Sequence, residues 1–476
     1  MYACLSHSHD PECRMMQIVY SRYFKTNHAP IYARTLILLG ILWMTGCAVM
    51  PETIRDIHIL PQNHEHYLEA ERLLLPLNIQ QELDNDYNRK YFAPWHQSIT
   101  AVPREVILRP FYHYLNNPGY GENRRPRTTG WFQQLLDNAQ LDGYPNAAYP
   151  AITISNTNLR ILPTHKPVFR SASGYPFDRL QTSFIAANTP LFISHTSADR
   201  AWYRVETPFA HGWIDSRDVA VADLQFIRTW QSGHYAVVIK DKTPLYDQRN
   251  RFLYRLQLGS IFPLLDEQGD SVQIMHATAD ETGRAVIASA IFSREAIAMK
   301  PMPMTGSHLA AIANELAGET YGWGGLYQNR DCSAMLRDLF TPFGVWLSRH
   351  SEDQAKRDGL FIDLTGLSPE DKLSMIRQQG VPYLTLLWMK GHIMLYIGLH
   401  DHAPVIFHNL WSTTSKDYLG RPVYIIVGQA AVTTLHPGQT SGTGILPGNS
   451  YLRRIAGMTL LVPPQESNRP DAAASP

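Results

Sequence analysis

The chain has 476 residues, more than one ordinary domain holds, and 44% of them are hydrophobic, enough to fill several cores. Its 42 Lys and Arg are balanced by 42 Asp and Glu. It therefore lacks the basic excess that a polyanion-binding surface needs, and nucleic acid is not an expected partner.

The first informative segment is the N-terminus. Arg22, Lys25 and Arg34 precede the apolar run Leu36 to Met44, which is too short to span a bilayer but suits the h-region of a signal peptide. It ends in Met44-Thr45-Gly46-Cys47, which resembles the lipobox of bacterial lipoproteins, with Met where Leu is commoner. An ordinary signal peptide with a chance cysteine is the alternative. Residues 1–47 are read as an export signal with Cys47 as the lipidation site, and Met15 or Met16 is an alternative start. The expected location is the cell envelope, lipid-anchored and facing the periplasm. Ala48 rather than Asp follows the cysteine, which favours the outer membrane. Once the leader is removed, Cys332 is the other cysteine of the mature chain. An unpaired thiol in an oxidising compartment is either inert and buried or kept for its reactivity.

Residues 48–150 form an N-terminal stabilising domain of helical and irregular structure. Tyr67, Leu68, Leu73, Leu74 and Leu75 have the spacing of a helix face. Tyr91-Phe92-Ala93-Pro94-Trp95 reads as an aromatic turn packed on a neighbouring domain. From residue 151 short apolar stretches alternate with turn residues, which predicts two small all-β units over 151–225 and 226–300. The first holds Asn158-Leu159-Arg160, Trp202-Tyr203-Arg204-Val205 and Gly212-Trp213-Ile214. The layout resembles tandem bacterial SH3 domains, which are small barrels. In 301–462 helices return at Leu309 to Leu316 and from Cys332 to before Pro342, with strands at Tyr383 to Gly398 and Val405 to Trp411. Residues 463–476 have no apolar period and read as a disordered tail.

The chemistry gathers in the last domain. Tyr321-Gly322-Trp323-Gly324-Gly325 is followed by Asp331-Cys332-Ser333. Asp331 is a natural N-cap, and Met335, Leu336, Leu339 and Phe340 give the next helix an apolar face. Cys332 then lies in its first turn, where free amide groups and the helix dipole favour a thiolate. A buried structural cysteine is the competing reading. His392 opens a strand in which His392, Met394 and Tyr396 share one face. A hairpin closing near His400 places His408 opposite His392, and a two-residue shift makes them diagonal neighbours. Either way His408 can orient an imidazole that serves the thiol. Asn409 competes for the third position but points to the other face of a regular strand.

Taken in order, Gly-Gly, Asp-Cys-Ser at a helix start, Gly-His on a strand and His on the next strand resemble the NlpC/p60-type cysteine peptidases. Arg349-His350-Ser351-Glu352-Asp353-Gln354-Ala355 is similar to the family's segment after the catalytic helix. The resemblance implies an α+β papain-like catalytic domain without cofactor or metal. It implies hydrolysis of the γ-D-glutamyl-diamino acid bond in peptidoglycan stem peptides, with Cys332 as nucleophile, His392 as general base and acid, and His408 as the orienting group. It further implies that Tyr321 lines the cleft, that Asp331 and Ser333 contact substrate, and that Tyr203 reaches the cleft from a covering first SH3 domain. Asp331 can pair with the free ammonium of an L-Ala terminus, helix capping being the alternative. Ala334 stands where the family often has Gly, and the stretch from Leu360 to Tyr383 is long. An acyltransferase or amidase on the same fold, and a non-catalytic wall-binding lipoprotein, are the competing functions.

Overall fold

The computed structural model describes residues 54–416, 422–437 and 450–462; the lipobox at Cys47 and the tail at 463–476 lie outside them. The first described segment is a strap laid over the C-terminal domain. A single turn, α1 (Arg55–Ile59), leads to a 3-10 turn at His64–Tyr67. The helix expected over Tyr67 to Leu75 does not form. Its backbone groups are taken elsewhere: the Leu74 N–H donates to Met304 O, and Ala70 O and Arg72 O accept from Ser307 and Gly306, each at 2.9 Å. Such close passage requires Gly306, since a Cβ there would collide with the Glu69 carbonyl. Pro76 then starts α2 (Leu77–Tyr91).

Helix α2 grips the C-terminal domain and the strand that leads into it. Gln80 donates to Phe343 O at 3.0 Å, Asp84 makes a buried ion pair with Lys300, and Tyr87 Oη lies 3.2 Å from Thr341 Oγ1. The aromatic turn follows: Phe92 and Trp95 are buried in one core with Phe226, Trp230 and Tyr235, and Trp95 Nε1 donates to Ala151 O at 2.7 Å. Helices α3 (Arg104–Asn116) and α4 (Thr129–Ala139) share a core with the first β domain, through Phe111, Phe132 and Trp213.

That β domain consists of β1 (Tyr149–Thr153), β2 (Thr157–Arg160), β3 (Gln181–Ile185), β4 (Pro190–Thr196), β5 (Trp202–Glu206), β6 (His211–Asp215) and β7 (Val219–Val221). They form one antiparallel sheet, ordered β3-β2-β6-β5-β4-β1-β7. Helix α5 (Leu224–Trp230), capped by Asp223, leads into the second. Its strands are β8 (Tyr235–Val238), β9 (Thr243–Tyr246), β10 (Phe252–Leu256), β11 (Ile261–Gln268), β12 (Ser271–Ala279), β13 (Ala285–Ser293) and β14 (Ile297–Lys300). Five of these form a sheet ordered β13-β12-β11-β8-β14, and β9 and β10 a separate hairpin. Both units are SH3-like, but their sheets are open where closed barrels are expected.

The C-terminal domain is α+β. Its helices are α6 (Gly306–Leu316), α7 (Cys332–Phe340), α8 (Ser351–Arg357), α9 (Pro369–Gln379) and the short α10 (Tyr451–Arg454). Its strands are β15 (Leu360–Asp363), β16 (Thr385–Met389), β17 (His392–His400), β18 (Ala403–Lys416), β19 (Pro422–Thr434) and β20 (Gly457–Leu460), ordered β15-β20-β16-β17-β18-β19. The strand expected from Tyr383 to Gly398 is thus two, folded back at Lys390-Gly391, where Gly391 takes φ 83°. Alternation along β17 sends Ile393, Leu395 and Ile397 to a core with Met335, Leu336, Leu339 and Phe340 of α7. Met394 and Tyr396 join Ile376, Tyr451 and Leu452 on the opposite face. Each fully buried side chain of that size stabilises the fold by roughly 1.5–3 kcal/mol, so α7 is fixed firmly against the sheet. Among the described residues no helix is long and apolar enough to cross a membrane.

Candidate active site

Cys332 is the first residue of α7, and Asp331 caps that helix by accepting the Ala334 N–H at 2.9 Å. The thiol is unpaired and buried, at 8% exposure. Burial, then the Asp331 carboxylate, push its pKa up to about 12, against the Ile393 N–H, Arg349 and the Ser333 N–H, which pull it down. The helix start is therefore not enough to make a thiolate, contrary to the expectation from position alone. The resting group is a neutral thiol, and a base must take its proton as it attacks.

Asp331 and Ser333 do not face an open cleft as the resemblance implies. They are 9% and 4% exposed and tied to Arg349. Its Nη2 lies 2.7 Å from Asp331 Oδ2 and its Nη1 3.1 Å from Oδ1, while Nη1 also donates to Ser333 Oγ at 3.0 Å. The Gly324 N–H donates to Asp331 Oδ2 at 3.1 Å, and Ser333 Oγ to Oδ1 at 3.2 Å. Burial alone would raise the Asp331 pKa, but Arg349 outweighs it and holds the carboxyl below its usual range. With both oxygens occupied, Asp331 offers no free acceptor for a substrate ammonium. It caps α7 and anchors Arg349.

The histidines come from neighbouring strands. Leu395 pairs with Phe407 and Tyr396 with Ile406, a register that makes His392 and His408 diagonal neighbours. His392 Nε2 lies 2.8 Å from His408 Nδ1, and His408 Nε2 lies 3.0 Å from Thr433 Oγ1 on β19. Burial, then Arg454, bring His392 down to about 4, with Asp331 pulling the other way. Burial, then His392, lower His408 well below the usual value. Both rings are neutral at pH 7, which fixes the direction of the chain. The Thr433 hydroxyl donates to Thr434 O at 3.0 Å, so it accepts from His408 Nε2–H. His408 Nδ1 then accepts from His392 Nε2–H, and His392 Nδ1 keeps its lone pair for a proton. No hydrogen bond joins that ring to the Cys332 sulfur among the described residues; such contacts commonly tighten only when substrate is bound. Asn409 points the other way and donates to Arg330 O at 2.9 Å.

Tyr321 lies beside the thiol: burial, then the negative charge of Asp331, push its hydroxyl up. Its ring is 6.1 Å from Trp411, Trp411 is 6.1 Å from Phe177, and Phe177 is 5.1 Å from Trp323. The first β domain therefore supplies Phe177 to this aromatic wall. Tyr203 is instead packed against that domain's own core of Leu159, Ile185 and Val205. The seam is polar as well: Arg349 Nε donates to Ser183 Oγ at 2.7 Å, Gln181 Nε2 to Gly324 O at 2.9 Å, and Trp323 Nε1 to Asp178 O at 2.9 Å. Thr433, Trp411 and Phe177 carry no signal in the sequence as site residues, because strand register and domain docking bring them in.

Residues 318–414 match the NlpC/P60 family model. Ahead of them, 35–144 match the NLPC_P60 stabilising domain, N term, 166–215 an SH3 domain of SH3b1 type, and 223–268 an SH3 domain of SH3b2 type. No curated protein matches the chain. Among solved structures, an NlpC/P60 endopeptidase from Photobacterium damselae subsp. piscicida is similar, with TM-score 0.75 and 24% identity over 84% of this chain and 97% of that one. An NlpC/P60 family protein from Bacillus cereus ATCC 10987 covers 60% of this chain and 83% of its own, with TM-score 0.41 and 16% identity. The chain therefore carries an NlpC/P60 domain, preceded by a stabilising domain and two bacterial SH3 domains.

Proposed function

We propose that this protein is a cysteine endopeptidase of the bacterial cell wall that hydrolyses the γ-D-glutamyl-diamino acid bond of stem peptides. The observation that carries the reading is a cysteine at a helix start, its sulfur beside the Ile393 N–H, the residue before Ile393 being a histidine whose far nitrogen is held 2.8 Å from a second histidine. The NlpC/P60 domain supports a cysteine-type peptidase, and the two SH3 domains support a wall substrate.

In this mechanism the Cys332 sulfur attacks the scissile carbonyl while His392 Nδ1 takes the thiol proton. The imidazolium is stabilised because His392 Nε2–H already donates to His408. Collapse of the tetrahedral intermediate breaks the C–N bond, and His392 returns the proton to the leaving amine. Water, deprotonated by the same nitrogen, then cleaves the thioester and restores the thiol. Mass spectrometry of a defined stem tripeptide incubated with the full chain tests the bond assignment. New carboxylate and amine ends at the γ-D-Glu linkage are expected, and a transpeptidated or deamidated product points to the acyltransferase or amidase alternative.

We also propose that the exported protein is lipid-anchored through Cys47 in the outer membrane. A fatty-acid probe is expected to label the wild type and not Cys47→Ser; an unlabelled wild type contradicts the anchor.

A further inference from the structure

A second cavity lies next to the cleft without containing the thiol. It measures about 530 Å³ and draws its walls from three parts of the chain. The stabilising domain supplies Glu122 and Arg124, the first SH3 domain Asn158, Phe169, Tyr175 and Asp178, and the loop before Cys332 Leu326 and Tyr327. Its volume falls within the range of small-ligand sites, roughly 300–1,000 Å³.

Three features set it apart from a packing gap between domains. Tyr175 and Tyr327 hold large rings in the open at 61% and 69% exposure. Tyr327 does so from a left-handed backbone, φ 62°, as does Arg124 at φ 62°, a conformation that costs a non-glycine residue free energy. The Arg124 side chain makes no hydrogen bond or ion pair among the described residues, whereas Glu122 is paired with Lys166 at 3.2 Å. The amide nitrogen of Asn158 also has no partner among the described residues, since Gln181 occupies only its oxygen. Open aromatic faces beside unspent donors suit a ligand that is apolar on its faces and polar on its edges, as a pyranose is. Arg124 and Asn158, both donors, suit the carbonyl oxygens of acetamido groups.

The cavity also adjoins the cleft. Asp178 lines the cavity and accepts from Trp323 Nε1, while Phe177, next to it in the chain, packs between Trp323 and Trp411 of the cleft wall. The saturated Asp331 gives the cleft no acceptor to demand a free peptide amine. We infer that this cavity binds the N-acetylated amino sugars of the wall glycan, so that stem peptides are cut while still joined to sugar. The inference rests on the peptidase reading for its purpose, but not for its test.

The test titrates the disaccharide N-acetylglucosaminyl-N-acetylmuramic acid into full-length Cys332→Ala protein by calorimetry. Tyr327→Asn and Arg124→Asn are then added singly; asparagine tolerates the left-handed backbone, so the ring or the charge is lost without new strain. Saturable binding that weakens at least fivefold in each variant is expected, along with a fall in the kcat/KM ratio of disaccharide-tripeptide to free tripeptide in active protein carrying either change. No binding at millimolar sugar, or binding unaffected by both substitutions, overturns the inference. If the wild type cuts neither peptide, the peptidase reading fails and the titration alone decides the cavity.

Discussion

At the scale of residues, the site depends on proton direction. Cys332, Asp331 and His392 can be read from the sequence because each sits at an element boundary or on a face that local patterning reveals. Thr433 cannot, because it reaches His408 only through the pairing of β18 with β19, where Ile406 faces Thr433 and His408 faces Ala431. The cost of burying Cys332 is likewise invisible in a helix-capping pattern, which is why position suggests a thiolate and packing gives a thiol. Thr433→Val removes the acceptor that fixes the His408 tautomer. It should lower kcat at least about tenfold with KM unchanged, while Thr433→Ser restores it. Steady-state kinetics on the stem tripeptide check this. A Thr433→Val enzyme with wild-type kcat would show that the histidines set their tautomers without it.

At the scale of elements, most strands and the two helices around the site follow from alternation, turn residues and the Asp331 cap. The failures share one cause. Tyr67 to Leu75 has helical spacing but spends its backbone on residues 304–307, and the strand predicted from Tyr383 folds at Gly391. Tertiary partners decided both. The seam between the first SH3 domain and the loop before Cys332 is an element of the same kind. Gly325 has φ 83°, and a Cβ there would collide with Phe184 of β3. Gly325→Ala should lower stability by about 1–3 kcal/mol and reduce turnover, because the loop that positions Asp331 must move. Gly130→Ala, inside α4 with open space around it, should be neutral or slightly stabilising. Denaturant midpoints compare the two; equal midpoints would mean the seam yields without cost.

At the scale of the whole molecule, the N-terminal strap and α2 tie the modules together. Asp56 accepts from Thr434 N at 2.7 Å, and Gln62 exchanges hydrogen bonds with Val432, so the strap grips the end of β19 that carries Thr433. The sequence shows modules in order but not this stapling, which joins residues more than 350 apart. Three histidines are held neutral: burial brings His64 down to about 3, the half-buried His392 lies at about 4, and the buried His408 is brought well below its usual value by burial and by His392. Their folded pKa values lie below those of the unfolded chain, so their stabilisation is complete above pH 6.5 and lost as pH falls toward 4. For His64 alone the loss by pH 5 is about 2 kcal/mol. The urea midpoint should therefore fall between pH 7 and pH 5, and a midpoint that rises over that range would contradict the neutral rings. All of this serves one thiol, and one measurement tests it most directly: the initial rate of stem-tripeptide hydrolysis by wild type and Cys332→Ala at equal concentration, with circular dichroism confirming the same fold. The account predicts cleavage by the wild type and none above background by the variant; cleavage by Cys332→Ala at a comparable rate would contradict it.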